Sequence, residues 1–362
     1  MIRTTDVLVV GGGIAGLCTA LAVAEQKLRV LIVDEPRPGA ASRAAAGMLA
    51  PSLEGLPPAV HAIALEARDY YPEFLAELKE QTGVAVALNR TGILELAVSD
   101  ADLDVLVARA GETAQRLDAQ ELAMFEPAFA GHPGAVLHPL DGAVDNVALM
   151  HALELAAERA PRVGRLAGRV DALDFAGTRP RARIASGDQV ECASVLLATG
   201  AWGTALPGLP RALPVRPVRG ELLTLDALPI RHVTYGVGGY LVPRTNSLLI
   251  GATSEESGFE NRATPVGRAS LLSIAKRAIP SLGSAPVADH WAGLRPVTPD
   301  ALPILGRDPN TRALVYAVGF SRNGILLAPW AARELARQIS GTSSQESLAS
   351  FSPARLGSPL SS

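Results

Sequence analysis

The amino-acid sequence predicts an α/β (α+β) protein of two interleaved domains, one built on a Rossmann-like parallel sheet and the other on an antiparallel sheet. Three observations support this prediction. A strand, a glycine-rich turn, a helix and a second strand follow one another in residues 6–34. Apolar strands that end in glycine-bearing turns recur at residues 190–200 and 314–324. Shorter alternating strands occupy residues 220–251 between them, as an antiparallel sheet requires.

The first of these segments has the pattern of a dinucleotide-binding βαβ unit. Residues 6–10 form an apolar strand that leads into a Gly-x-Gly-x-x-Gly turn at Gly11, Gly13 and Gly16. Glycines in such a turn let the backbone approach a pyrophosphate, whose charge then lies against the amides of a helix N-terminus. Asp34 ends the next strand, eighteen residues after Gly16, where it can accept a hydrogen bond from a ribose hydroxyl. The segment therefore predicts dinucleotide binding.

The composition excludes several kinds of partner. With 48% hydrophobic residues and a net charge of −3, the 362 residues can bury a large core. The 33 positive charges are scattered and matched by 36 acids, so we expect no nucleic-acid partner. Cys18 and Cys192 lie in apolar segments, and no cysteine or histidine spacing predicts a metal site. No apolar stretch is long enough to span a membrane, and we expect a cytoplasmic protein without a membrane partner.

Apolar periodicity predicts the other elements. Helices are predicted at residues 59–81, 100–116, 119–127, 147–160, 264–279 and 324–339. Further strands are predicted at residues 91–98, 166–175, 181–184, 240–242, 247–251 and 314–318. From residue 340 onwards serine, glycine and proline dominate, which predicts a frayed tail.

Four segments together resemble the D-amino-acid oxidase family of flavoproteins. They are Gly-Gly-Gly-Ile-Ala-Gly at 11–16, Ala-Ala-Ala-Gly-Met-Leu at 44–49, Trp-Ala-Gly-Leu-Arg-Pro at 291–296 and Arg-Asn-Gly-Ile-Leu-Leu-Ala-Pro at 322–329. The resemblance runs from about residue 3 to residue 340 and is greatest for bacterial members that oxidise glycine for thiamin synthesis. It implies non-covalent FAD, because neither cysteine lies at residues 295–299, where covalent attachment would occur in sarcosine-oxidase-like enzymes.

With this resemblance, the pattern of elements implies a discontinuous FAD-binding domain. We expect it to comprise residues 1–80, 145–215 and 288–340. Residues 81–144 and 216–287 are expected to form the substrate-binding domain, and residues 341–362 a flexible tail.

The resemblance also implies which residues hold FAD. Small residues near position 46 would let the planar ring lie against the backbone. The turn at 319–326 would place amides near the pyrimidine edge of the flavin, where negative charge accumulates on reduction. The expected cofactor-binding residues are Gly11, Gly13, Ile14, Ala15, Gly16, Asp34, Ser42, Arg43, Ala46, Gly47, Met48, Val170, Thr199, Gly200, Gly319, Arg322, Asn323, Gly324, Ile325 and Leu326.

For the substrate, the resemblance implies an amino acid held by its carboxylate. Arg295 matches the carboxylate-binding arginine, whose planar guanidinium suits bidentate contact, and Tyr240 matches its tyrosine partner. Tyr235 and Arg322 match further catalytic-pocket positions. The implied reaction moves a hydride from the substrate Cα to flavin N5 without a general base. Oxygen then accepts the electrons as hydrogen peroxide, and the imine hydrolyses to a 2-oxo acid and ammonia.

One departure from the family leaves the substrate open. The relatives carry methionine where Ser254 stands, and the stretch from Gly236 to Gly239 is barer than theirs. A wider pocket would admit sarcosine, D-alanine or proline-like amines beside glycine.

Other functions also remain open. A D-amino-acid dehydrogenase that passes electrons to a quinone shares the fold and most of the pocket. An NAD-dependent dehydrogenase would explain residues 6–34 alone, and a noncatalytic flavin-binding subunit would leave Arg295 and Tyr240 unexplained. The resemblance further implies a homo-oligomer, because close relatives are tetramers.

Overall fold

The computed structural model describes residues 2–204, 206–342 and 346–356. Its two largest sheets are a mainly parallel sheet of six strands and a mainly antiparallel sheet of eight strands. Within these residues the α-helices are α1 (Ile14–Glu25), α2 (Ala41–Ala44), α3 (Pro58–Thr82), α4 (Asp100–Arg109), α5 (Ala119–Phe125), α6 (Asn146–Arg159), α7 (Pro265–Ala278) and α8 (Gly324–Ser340). The strands are β1 (Ile2–Thr4), β2 (Val7–Val10), β3 (Val30–Asp34), β4 (Met48–Leu49), β5 (Leu88–Asn89), β6 (Ile93–Leu96), β7 (Gln115–Asp118), β8 (Gly134–His138), β9 (Gly142–Val144), β10 (Val163–Ala167), β11 (Val170–Asp174), β12 (Arg181–Ile184), β13 (Gln189–Glu191), β14 (Ser194–Leu197), β15 (Arg216–Leu225), β16 (Val233–Gly236), β17 (Gly239–Pro243), β18 (Leu248–Gly251), β19 (Val287–Val297), β20 (Ile304–Arg307) and β21 (Leu314–Val318).

The six-stranded sheet has the order β10-β3-β2-β14-β21-β20 and is parallel except for β20. Its strands are apolar on both faces because both are covered. Val7 and Val9 pack with α1, α3, α6 and α8, whereas Leu8 and Val10 pack toward the four-stranded sheet β1-β13-β12-β11. The strands that follow β2 in the chain, β3 and β10, lie on one side of it, and the later strands β14 and β21 lie on the other side. Ligands bind at such a switch point, outside the carboxyl ends of the strands.

The eight-stranded sheet has the order β19-β15-β18-β17-β16-β6-β8-β7, and its pairs are antiparallel except for β16 with β6. One face is covered by α7, whose Leu271 and Ile274 pack on Leu223 and Ile250. The opposite face carries Tyr240 and other partly buried side chains. A three-stranded sheet, β4-β9-β5, completes the described strands. No helix of the described ranges has the length and apolar character needed to cross a membrane.

Two predicted elements were wrong in their extent. The helix expected at 100–116 ends at Arg109, because Ala110 is extended and Gly111 follows, and Gln115–Asp118 forms β7 instead. The strand expected at 166–175 is two strands in different sheets. They separate at Gly168, whose φ of +155° breaks the extended run.

The domain boundaries remain a prediction, although the sheets divide the chain differently at two places. Strand β4, expected in the FAD-binding domain, pairs with β9 of the expected substrate-binding domain. Strand β19 was expected in the FAD-binding domain from residue 288 onward, yet it pairs along β15 in the eight-stranded sheet.

The expected flexible tail is also ordered in part. Glu346–Phe351 and Pro353–Leu356 form short 3₁₀ helices, and Leu348 and Phe351 are buried in the core with α8. Three-residue spacing of two apolar side chains was too short a pattern to predict this packing. The remaining tail positions, 343–345 and 357–362, lie outside the described residues.

Candidate active site

A cavity of about 1050 Å³ lies at the carboxyl edge of the six-stranded sheet and extends to the open face of the eight-stranded sheet. Gly11, Asp34 and Thr199 line it where β2, β3 and β14 end. Tyr240 and Arg295 line it on the eight-stranded sheet. Its volume is at the upper end of the range for ligand and cofactor sites, so an extended ligand fits.

The N-terminus of α1 opens into this cavity. Gly11 has φ +108°, and a Cβ there would lie 2.4 Å from the carbonyl oxygen of Ala198. The helix begins after Gly13 without a side-chain cap, although Ser42 Oγ accepts a hydrogen bond from the Ile14 amide at 3.1 Å. Gly16 does not line the cavity: its Cβ would lie 2.0 Å from the Gly11 carbonyl oxygen, so it is needed for close packing. Uncapped amides at a helix N-terminus suit a pyrophosphate.

Residues 42–47 are held against the cavity by partly buried polar contacts. Asn146 Nδ2 donates hydrogen bonds to the carbonyl oxygens of Ser42 and Arg43 at 3.0 and 3.1 Å. Arg244 donates to the carbonyl oxygen of Ala46 at 2.8 Å and to Asn146 Oδ1 at 3.1 Å. Burial lowers the pKa of Arg244. Arg244 and Asn146 were not predicted as site residues, because no local motif marks them.

A second helix N-terminus, that of α8, lies at the same cavity. Gly319, Gly324 and Ile325 line the cavity. Gly319 has φ +74°, and a Cβ there would lie 2.5 Å from Thr298 Cγ2. Asn323 precedes the helix but makes no side-chain cap, which leaves the first-turn amides without one. This arrangement suits negative charge on a ligand.

The charged end of the cavity is built around Arg295. Its Nη1 donates to the carbonyl oxygens of Thr253 at 3.0 Å and Arg219 at 3.4 Å. Burial lowers the pKa of Arg295, while the side chain of Tyr240 opposes that shift. Burial raises the pKa of Tyr240, and the Arg295 guanidinium opposes it. The two side chains, both partly buried, therefore form one polar unit.

Two glycines make room for this unit. A Cβ on Gly220 would lie 2.3 Å from Arg295 Nη1, and one on Gly251 would lie 2.3 Å from the ring of Tyr240. Tyr235 pairs across the sheet with Tyr240 and lines the same end.

Glu54 also lines this end of the cavity and was missed by the sequence analysis. Burial raises the pKa of Glu54, and the guanidiniums of Arg322 and Arg295 oppose that shift. Ser254, expected beside the substrate, is instead exposed and is not among the cavity-lining residues, whereas Ala252 lines the cavity. The register of β18 and the turn after it thus present a different residue.

The expected site residues can now be placed. Arg295, Tyr240, Tyr235 and Arg322 line one end of the cavity, and the expected cofactor residues line it too except Gly16, Asn323 and Leu326. Asn323 and Leu326 are buried beside it, 8% and 1% exposed. The described part of the chain contains no group of three or more histidine, cysteine, aspartate or glutamate side chains that could hold a metal ion.

The residues present fit FAD by their own chemistry. Two helix N-termini without side-chain caps face one cavity, with Asp34 at the end of β3 beside the first. Thr199 lines the cavity, and its buried hydroxyl has no hydrogen-bond partner among the described residues. A buried hydroxyl of this kind calls for a ligand or water partner.

Comparison with known proteins identifies the family. The family model described as FAD dependent oxidoreductase (DAO) matches residues 6–338. The bifunctional protein ThiO/ThiG of Synechocystis is 35% identical over 370 residues, 98% of this chain. The chain spans about half the length of this relative, 54%. The glycine oxidase of Geobacillus kaustophilus is 33% identical over 371 residues, with 98% of both chains covered.

Solved structures agree with this result. The crystal structure of that Geobacillus glycine oxidase superposes with a TM-score of 0.91 at 32% identity, covering 97% of this chain and 98% of the other. Iminodiacetate oxidase from Chelativorans has a TM-score of 0.89 at 26% identity, covering 96% and 99%. The fold expected from the sequence is confirmed, and the chain belongs to the DAO family of FAD-dependent oxidoreductases.

Proposed function

We propose that this protein oxidises glycine, or another small primary or secondary amino acid such as sarcosine or D-alanine, with FAD as electron acceptor. The observation that carries the proposal is the partly buried Arg295–Tyr240 unit at one end of a cavity whose other end suits a dinucleotide. Relatives named glycine oxidase, similar over nearly the whole chain, support the same substrate class.

The residues of this chain bind and orient the substrate. Arg295 holds the carboxylate with its guanidinium fork, and the phenolic hydroxyl of Tyr240 donates a hydrogen bond to the same group. Arg322 and Tyr235 border the remaining space. Orientation and exclusion of water lower the barrier here, because a fixed near-attack geometry replaces a random encounter. Bound FAD would supply the two-electron redox chemistry.

The wider setting follows from the same relatives. We propose that the product feeds the thiazole branch of thiamin synthesis, since ThiO-named proteins are among the similar sequences. We also propose a cytoplasmic homo-oligomer, with oxygen as the final acceptor and hydrogen peroxide as a product, together with ammonia where the substrate is a primary amine such as glycine.

The test is an anaerobic titration of the purified holoenzyme with glycine, followed through the visible absorption of the flavin. Bleaching that recovers in air, with peroxide formed, would support the proposed oxidase. Bleaching without recovery would replace oxygen by another acceptor and favour a dehydrogenase. An unchanged spectrum would reject glycine, and sarcosine and D-alanine would be titrated next.

A further inference from the structure

Glu54 is the acidic side chain that shares the substrate end of the cavity with Arg295 and Arg322. It follows the short 3₁₀ helix Pro51–Leu53 and precedes Gly55, which has φ +58°. The proposed carboxylate contact, made by Arg295 and Tyr240, leaves this residue without a role.

The carboxylate of Glu54 has no close partner. Among the described residues it makes no hydrogen bond, and no guanidinium lies within 4.0 Å of it as an ion pair. Its electrostatic interaction is nevertheless stronger with the Arg322 guanidinium than with the Arg295 guanidinium. A separation of this kind leaves space for a ligand between the acid and the two guanidiniums.

The backbone beside Glu54 is fixed by a buried ion pair. The amide and hydroxyl of Ser52 donate to Asp141 at 3.1 and 3.2 Å. Arg68 Nη1 contacts Asp141 Oδ1 at 2.9 Å, and the two side chains are 7% and 0% exposed. The segment is therefore anchored two residues from Glu54, which limits how far the acid can withdraw from the cavity.

The charges at this end define which substrates are favoured. Two guanidiniums and one carboxylate give the protein a net charge of +1 there. An amino-acid zwitterion offers one carboxylate to Arg295 and no second anion. That first carboxylate offsets the charge of Arg295, and Glu54 offsets the charge of Arg322, so the net charge falls to zero. A second carboxylate would then meet no uncompensated cation and would be repelled by Glu54 in a partly desolvated space.

We propose that Glu54 is a specificity-determining residue that selects amines with one carboxylate and rejects those with two. The inference rests on the proposed amino-acid oxidation. Selectivity built from repulsion of the wrong ligand is a general device of binding sites. The fold itself does not forbid a dicarboxylate, since a similar structure is named iminodiacetate oxidase. The choice must then come from side chains such as Glu54.

The experiment compares iminodiacetate with its monoamide, which has nearly the same shape and one carboxylate fewer. Dissociation constants are measured anaerobically on the holoenzyme from perturbation of the flavin absorption, and the rates of bleaching are measured where bleaching occurs. We expect the wild type to bind the monoamide at least tenfold more tightly. Glu54→Gln should lower this ratio at least tenfold, whereas Glu54→Asp should retain most of it.

Glu80→Gln is the matched control, because Glu80 is an exposed glutamate near the end of α3. FAD content and circular dichroism establish that each variant is folded, and Glu54→Asp retains the test if Glu54→Gln does not fold. A ratio in Glu54→Gln within threefold of the wild type would overturn the proposal, as would an equal change in Glu80→Gln.

Failure of the proposed amino-acid oxidation can be distinguished from failure of the role proposed for Glu54. If glycine, sarcosine, D-alanine and both ligands leave the flavin oxidised, the proposed amino-acid oxidation fails, yet the binding ratio still tests Glu54. If neither ligand binds wild type or variant, the role of Glu54 is overturned as well.

Discussion

The two ends of the cavity are formed by different chemical groups, backbone at one end and side chains at the other. The cofactor end consists largely of backbone: glycines at the ends of β2 and β21 and the amides of two helix N-termini. The substrate end consists of side chains with charge or hydroxyl groups, namely Arg295, Tyr240, Glu54 and Arg322. A backbone site depends on what a residue lacks, a Cβ, whereas a side-chain site depends on what a residue carries. Substitutions should therefore fail for different reasons at the two ends.

The largest effect is expected at Gly11. The Cβ of Gly11→Ala would lie 2.4 Å from the Ala198 carbonyl oxygen, at a φ of +108° that alanine rarely adopts. The strand end must move, and we expect FAD content to fall more than tenfold and stability to fall by about 3 kcal/mol or more. The ratio of flavin to protein absorbance and a urea titration measure both.

Gly131→Ala separates steric collision from backbone strain. Gly131 has a similar φ, +101°, but a Cβ there would meet no atom within 4 Å. We expect a loss of about 1–2 kcal/mol from the left-handed conformation alone, with normal FAD content. Equal loss of FAD in Gly11→Ala and Gly131→Ala would show that collision at the cofactor end is not the cause.

At the substrate end, Arg295→Ala should leave FAD bound and remove the partner of the carboxylate. We expect kcat/KM for glycine to fall by about 2–5 kcal/mol, the usual cost of breaking a buried charge pair. Steady-state kinetics measure the loss, and flavin absorbance measures the bound FAD. Arg268→Ala, at an exposed position of α7, should change neither. A decrease of less than threefold in Arg295→Ala would refute the role of Arg295.

The difference between a backbone site and a side-chain site also explains which site residues could be predicted from the sequence. Gly11, Gly13 and Gly16 stand at fixed spacing between a strand and a helix, so local pattern alone predicts dinucleotide binding. Arg295 could be selected from 30 arginines only through the family resemblance. Glu54 could not be selected at all, because its place depends on a loop that no periodic pattern specifies.

The position at which strand β18 ends also limited the prediction of substrate-site residues. Ser254 was expected beside the substrate, but the turn after β18 leaves it exposed and brings Ala252 to the cavity. Both residues follow Gly251, the last residue of β18, so the turn decides where their side chains lie, and sequence pattern does not fix where a strand ends. Arg244 was missed for a related reason, since it contacts Ala46, almost two hundred residues away along the chain.

Arg244 offers a side-chain test of the cofactor end. In Arg244→Met the carbonyl oxygens of Ala46 and Val144 lose a buried donor, as does Asn146. Leaving such groups unpaired costs about 1–3 kcal/mol, so we expect the FAD dissociation constant to rise about tenfold to a hundredfold. Fluorescence titration of the apoprotein with FAD measures this. Excess FAD should restore most of the activity.

Arg277→Met is the matched change at the other end. Arg277, like Arg244, donates to backbone carbonyl oxygen, in its case twice to the oxygen of Val237, at 3.1 and 2.7 Å. It is exposed, however, and borders the turn between Tyr235 and Tyr240. We expect a smaller effect, confined to the KM for glycine, with FAD affinity unchanged. A rise in the FAD dissociation constant equal to that of Arg244→Met would mean that the two ends are not separable.

The smallest effect is expected at an exposed ion pair that joins the starts of β2 and β3. Asp6 accepts hydrogen bonds from the Arg29 amide at 2.8 Å and from its guanidinium at 2.8 and 3.1 Å. These contacts lower the pKa of Asp6 from 3.8 to about 2. A carboxyl with a lowered pKa stabilises the fold above its ordinary pKa, and this stabilisation is lost as the pH falls from about 4 toward 2.

Asp6→Asn should therefore unfold at slightly lower urea concentration than the wild type at pH 7. The difference is small because the Arg29 side chain is 59% exposed and its charge is screened by water and salt. As the pH falls from about 4 toward 2, the two urea midpoints should converge, since the wild-type carboxyl becomes protonated. A difference that stays constant over this range would mean that the hydrogen bonds, and not the charge of Asp6, join these strands. In that event the parallel sheet at the cofactor end would owe even less to charged side chains than the substrate end does.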